Sequence, residues 1–261
     1  MKYSLLFRTD AALICILLFI GCLIMVMIGK FFRQKFVDKD EAESKGGVNS
    51  LLGALFGLWG FLLAFTFSNS ASRFESVRNI LVDETNAIRG VIMRADAFPD
   101  SFKAGFRADM KEYIHSRITY FDHVDNPQYM VKEKEKAILQ YRKIWERNAN
   151  ITTLPGMTAP SNNMFLALSG LMDNAAKRDA LLMAGIPDPI QYMLFFLALA
   201  ISFIGGFTTP LMKLKEWFII TGFALIATVI IYISIDLGRP LRGFIQPDLG
   251  TNRLNELLDL F

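Results

Sequence analysis

Residues 53–78 read GALFGLWGFLLAFTFSNSASRFESVR, an apolar stretch that runs into a charged one with no proline between them. Gly53, Gly57, Phe61, Phe65 and Asn69 recur every four residues, so they climb one side of a single helix. Two small residues give way to two aromatic rings and a polar step, and Arg73, Phe74, Glu75 and Arg78 follow. Glycines on such a face permit close backbone approach in a membrane bundle. If several copies of the helix ring an axis, Phe61 and Phe65 form a dry constriction, and the arginines set the potential at its mouth. The same spacing also serves plain packing or lipid contact, and Arg73 and Arg78 also suit a helix anchored at the headgroups.

The rest of the chain fits a membrane protein with a sizeable polar portion. It has 261 residues, 52% of them hydrophobic, with a mean hydropathy of +0.33. Four apolar runs are long enough to span: 11–28, 51–67, 190–207 and 218–235. Each is about 17–18 residues, near the lower end of what a ~30 Å hydrocarbon core requires. Four spans put both ends of the chain on one side. Lys2 and Arg8 precede the first run, and Ile20-Gly21-Cys22 faintly suggests a cleavage site. However, the run continues to Ile28 without an Ala-x-Ala-like cut, so it reads as a span. Cys15 and Cys22 lie seven apart on one face of it and read as small buried hydrophobes.

The spans fall into a hairpin within 1–69 and a second within 189–238, separated by a polar insert, 70–188, and followed by a tail, 239–261. The insert reads as helical almost throughout. Val77, Leu81, Glu84, Ile88 and Ile92 extend the second span as one long helix until Pro99 breaks it. Asp100 or Ser101 is placed to cap a helix to about Asp122, and Pro127 to open another to roughly Asn148. Residues 151–160 read as an irregular loop. Ser161 is placed to cap a helix through Ala184, which Gly185-Ile-Pro-Asp-Pro189 stops. No strand pattern is present, so the fold class is all-α: a polytopic membrane protein with four transmembrane helices and a helical soluble insert.

Charge and residue inventory exclude several functions. Basic and acidic residues nearly balance in the insert, with no basic stripe for nucleic acid. Charge near the spans is also close to even on the two sides, so it does not orient the protein. The two histidines, His115 and His123, read as solvated. No nucleophile elbow, phosphate loop, dinucleotide fingerprint or zinc spacing occurs. Asp83 and Glu84 are adjacent, so they diverge by about 100° and do not pair as a two-carboxylate site. The sequence predicts no enzyme, no cofactor and no metal. Asp236, at the end of the fourth run, is costly in lipid and reads as an interfacial anchor paired with Arg239 or Arg242, with Pro240 and Gly243 ending its helix.

The opening stretch resembles the second membrane helix of bestrophin channels. Those channels carry apolar neck residues spaced by four, a polar segment containing Asn, an Arg-aromatic pair and a further Arg. The matching positions are Gly57, Phe61 and Phe65, then Asn69, Arg73-Phe74 and Arg78. The wider pattern is similar to the bacterial bestrophin-like family, and this likeness spans most of the chain. Arg73-Phe74 stands about ten residues before Glu84-Thr-Asn-Ala-Ile88. Tyr113-Ile-His-Ser-Arg117 and Asp236-Leu-Gly-Arg-Pro-Leu-Arg-Gly243 match two further motifs. There are departures. Gly57 replaces a bulky neck residue, leaving two apolar rings instead of three, and Glu75 stands where bestrophins often have a second aromatic. No counterpart of their acidic calcium clasp is found, and their second constriction cannot be placed on this chain residue by residue.

The resemblance implies a homo-oligomeric ring, a homopentamer, in a bacterial inner membrane, with the ends of the chain and the insert cytoplasmic. Its partners are copies of itself, the bilayer and monovalent ions. The second span lines the pore, Phe61, Phe65 and Gly57 form the neck, and ions pass passively. The likeness and Arg73 together lean slightly to anions. The alternative is a non-conducting sensor or scaffold whose helical insert binds a partner. A secondary transporter fits least, because the spans carry almost no charge at mid-depth.

Overall fold

A computed structural model describes residues 9–36, 45–123, 127–183, 187–209, 214–239, 243–245 and 250–261. Among these residues there are helices and no strands. The α-helices are α1 (Ala11–Phe36), α2 (Lys45–Arg94), α3 (Asp100–Asp122), α4 (Pro127–Ile151), α5 (Thr158–Met183), α6 (Asp188–Thr208), α7 (Leu214–Leu237) and α8 (Gly250–Leu258). Four of them, α1, α2, α6 and α7, are long and apolar enough to cross a membrane. The chain divides into two compact units, 1–73 with 185–239, and 74–184 with 240–261.

In the first unit α1 packs along α6 and against α7. Its buried face is Ala11, Cys15, Leu18, Cys22 and Val26, a three-to-four-residue repeat that sets both free cysteines in the core. Ala11, Cys15, Leu18 and Cys22 share a core with Leu194, Leu197, Ala198 and Ile201 of α6 and Ala227, Ile231 and Ile235 of α7. Glycine decides how close the helices come. A Cβ at Gly29 would fall on the Phe203 carbonyl, and one at Gly206 on the Val26 carbonyl, so α1 and α6 touch backbone to backbone. Arg33 Nη1 donates to the Phe207 and Thr208 carbonyls, 2.9 and 3.2 Å away, satisfying the C-terminus of α6. At the start of α1, Asp10 Oδ1 accepts from the Ala12 amide at 2.9 Å. The membrane part of α2 seats Trp59 and Leu63 in the same core, and Trp59 Nε1 donates to the Leu194 carbonyl at 3.2 Å.

The second unit has its own core. Val77, Leu81, Ile88 and Val91 of α2 pack with Phe102, Phe106, Met110 and Ile114 of α3, Ile144 of α4, and Met164, Leu168 and Leu171 of α5. Leu254 and Leu257 carry α8 onto α3. Phe98, Phe102 and Phe106 stack in sequence, with centroids 4.4 and 5.3 Å apart, where α2 turns into α3.

Two caps differ from expectation. The N-cap of α3 is Pro99 with no side-chain cap, because the Pro99 carbonyl accepts from both Phe102 and Lys103; neither Asp100 nor Ser101 holds that place. Helix α5 starts at Thr158, three residues before Ser161. Ser161 already lies in the helix, its amide donating to the Met157 carbonyl at 2.9 Å and its hydroxyl to the Asn148 carbonyl at 2.9 Å. The hydroxyl therefore ties α4 to α5 instead of capping. Helix α4 likewise runs on to Ile151, which shortens the irregular loop and leaves its turn to Gly156, at φ +79°. Ala184, Gly185, Ile186 and Pro240 lie outside the described residues.

Candidate functional site

Helix α2 is half-clothed over its apolar stretch. Trp59, Leu63, Thr66 and Ser70 form its buried side, at helical spacing. The two hydroxyls are satisfied on their own helix, Thr66 Oγ1 donating to the Leu62 carbonyl at 2.7 Å and Ser70 Oγ to the Thr66 carbonyl at 2.9 Å. The other side is uncovered within the protomer. Phe61 is 69% exposed and Phe65 50%, and a Cβ at Gly53, Gly57 or Gly60 would meet nothing within 4 Å. Of the four candidate spans this one is the least covered.

The polar continuation parts company with that face. Asn69 is exposed, whereas Arg73 and Phe74 are partly buried. Arg73 Nε donates to the Gly238 carbonyl at 3.2 Å, closing the C-terminal end of α7. Arg78 is exposed and meets Glu75 at 3.5 Å, both side chains being half exposed. Asp236 is buried, and its backbone carbonyl accepts from the Arg239 amide at 2.9 Å. The Arg239 guanidinium donates through Nη1 to the Thr9 carbonyl at 2.7 Å, next to the start of α1. Arg242 lies outside the described residues. The histidines sit at the surface, His123 stacked on Tyr129 with centroids 4.8 Å apart. Among the described residues no group of three or more His, Cys, Asp or Glu gathers to hold a metal.

A second constellation lies wholly in the other unit. Glu84 of α2 is buried and receives two guanidiniums: Arg117 Nε of α3 at 3.1 Å, and Arg178 Nη1 of α5 at 2.6 and 2.5 Å from its two oxygens. Arg178 also holds Asp179, Nη2 to Oδ1 at 2.5 Å. Lys134 of α4 reaches the other Asp179 oxygen at 2.8 Å from the surface side. The guanidiniums lie against aromatic rings, Arg117 5.0 Å from the Tyr120 centroid and Arg178 5.4 Å from that of Phe121. Burial works against the Arg117 cation. The negative charge on Glu84, with that on Asp179, outweighs it and holds Arg117 above the ordinary arginine range. Burial pushes the Tyr113 phenol well above its ordinary value.

Four helices thus meet at one charged knot. Its Glu84 and Arg117 come from the Glu84-Thr-Asn-Ala-Ile88 and Tyr113-Ile-His-Ser-Arg117 motifs, which the fold brings side by side. Arg178, Asp179 and Lys134 are not legible from spacing. The signal available was an Arg-Asp pair in the run AAKRDALL, 175–182, where the flanking Ala175 and Leu181 pack inward.

A family model described as Bestrophin-like domain matches residues 16–246. No curated protein matches the chain. Among solved structures, the fold is similar to a bacterial bestrophin homologue from Klebsiella pneumoniae. That structure aligns at a TM-score of 0.68 and 14% identity over 98% of this chain and 98% of the other. Two point variants under the same description align at TM-scores of 0.70 and 0.71, with 13% and 14% identity. They cover 97% and 96% of this chain and equal shares of theirs.

Proposed function

Because the chain belongs to the bestrophin-like family, we propose that it is the pore-forming subunit of a homopentameric ion channel in a bacterial inner membrane. The observation that carries this reading is the uncovered face of α2. In a protomer that buries Trp59 and Leu63, the adjacent Phe61 and Phe65 stay exposed beside three open glycine positions. Single exposed apolar residues on a membrane helix are ordinary; an aromatic pair on the least covered span, in line with a polar stripe, fits a lining better than a lipid face.

With five copies around an axis, Phe61 and Phe65 form two stacked apolar rings. Gly57 keeps the wall thin beside them. A narrow apolar ring holds water poorly and conducts only when wide enough to stay wet, so the neck serves as a gate. Passage is passive, and no covalent chemistry is involved. Residues 70–188 and the two ends of the chain take the cytoplasmic side, the insert continuing the conduction path. Asn69, Phe74 and Arg78 lie at the neck's inner mouth, while Arg73, Asp236 and Arg239 set the helix ends. Arg73, one of the two grounds for the lean to anions, donates through Nε to the Gly238 carbonyl and carries its charge there, off the line of Phe61.

The test is ion flux into liposomes carrying the purified protein. Phe61→Ala combined with Phe65→Ala widens the neck and raises flux several-fold. Unchanged flux in the double variant removes the gate assignment.

A further inference from the structure

Beyond Phe65 the residues of α2 that repeat its helical phase change chemistry. At about 3.6 residues per turn, eighteen residues close five turns. Asn79 therefore falls in line with Phe61, Asp83 with Phe65, and Asn86 with Ser68. All four polar residues are exposed, as are Ser72 and Ser76 between them. This stripe of hydroxyls, amides and carboxylates is wettable where the Phe rings are not.

Its charges are few: Arg94, at the far end in line with Ser76, is exposed and donates through Nη1 to the Gly90 carbonyl at 2.8 Å. Arg73 lies twelve residues from Phe61, about 120° around the helix, and donates to Gly238. Glu75 shares the stripe but is matched by Arg78 at 3.5 Å. Glu84 turns inward to the two buried guanidiniums. Asp83 is left as the exposed carboxylate on this stripe, and among the described residues no ion pair engages it. Its place is fixed, since its backbone carbonyl accepts from Asn174 Nδ2 of α5 at 3.3 Å.

We propose that Asp83 is the charge-selecting residue of the conduction path. Repeated around the axis, its carboxylates form a ring that admits monovalent cations and turns anions away. The inference rests on the reading of α2 as the pore-lining helix. The apolar neck does not tell one sign of charge from the other, whereas a ring of carboxylates facing a confined aqueous path does. Asn79 and Asn86, one turn to either side, supply amide oxygens for a partly dehydrated cation.

The experiment is the reversal potential across planar bilayers under a KCl gradient, for wild type, Asp83→Asn and Asp83→Lys. Glu135→Gln, an exposed position on α4, serves as a surface-charge control. Wild type prefers K⁺ over Cl⁻, Asp83→Asn lowers that ratio at least several-fold, Asp83→Lys reverses it, and the control leaves it unchanged. If wild type conducts, and the Phe61/Phe65 double variant conducts more, but the reversal potential ignores Asp83, this assignment falls and the pore reading stands. If no protein conducts at all, both fall together.

Discussion

Arg178 Nη1 lies 2.6 and 2.5 Å from the two carboxylate oxygens of Glu84, ninety-four residues earlier in the chain, and both side chains are buried. A carboxylate out of water is tolerable only when its charge and lone pairs are matched. Glu84 achieves this with Arg178 and Arg117 together. Because α2, α3, α4 and α5 each contribute to the knot, it also fixes how those helices register on one another.

Glu84→Gln should be among the most damaging single changes in the second unit. It strips two buried guanidiniums of their shared carboxylate, and breaking a buried pair from one side costs about 3–5 kcal/mol. Thermal unfolding of the detergent-solubilised protein should show a large fall in Tm. A fall no greater than that of an exposed variant such as Glu135→Gln would mean that the knot contributes little.

Arg73→Gln tests whether Arg73 acts on the helix end or on passing ions. Its hydrogen bond to the Gly238 carbonyl places it at the C-terminus of α7, where a cation stabilises by roughly 0.3–1 kcal/mol. The variant should melt slightly earlier and keep the wild-type reversal potential. A shifted reversal potential would return Arg73 to the ion path.

Much of the fold could be read before any coordinates. Pro99 ends the long helix, which runs unbroken from Lys45 to Arg94, because a proline at that point removes a donor and clashes with the preceding turn. The four spans are visible because lipid demands a continuous apolar run. Less legible were the helix starts at Asp100 and Thr158. The Pro99 carbonyl and the Met157 carbonyl supply those first bonds, and backbone acceptors leave no mark in the side-chain sequence. The charged knot was half legible. Glu84 and Arg117 sit in recognisable motifs, but their pairing joins residues thirty-three apart, and Arg178 lies further still. Periodicity reports which face a residue occupies and says nothing about which distant face meets it. The stripe through Asn79 and Asp83 repeats Phe61 and Phe65 at eighteen residues, five full turns, a period longer than the four-residue spacing that links Phe61 to Phe65.

The contact of α1 with α6 gives a sharper mutational contrast. Gly206→Ala puts a methyl group onto the Val26 carbonyl, and forcing such helices apart should cost about 1–3 kcal/mol. Gly222→Ala on α7 meets nothing within 4 Å, so it should be neutral or stabilise by up to about 1 kcal/mol through helix propensity. Paired melting curves of the two variants check both outcomes, and equal Tm shifts would contradict the packing described.

Trp59→Phe leaves a smaller ring in the core and removes the indole N–H that donates to the Leu194 carbonyl. The lost hydrogen bond and the lost ring volume together should cost about 1–3 kcal/mol, read as a fall in Tm with the oligomeric state preserved. Loss of the oligomer would mean that Trp59 positions α2 more rigidly than those two losses imply.

The most direct test of the channel reading is the symmetry of the assembled protein, seen in cryo-EM class averages of the full chain in detergent or nanodiscs. The account predicts a closed five-fold ring with Phe61 and Phe65 of every protomer turned toward the axis. A monomer, a two-fold dimer, or a ring with those phenyl groups facing lipid would contradict it.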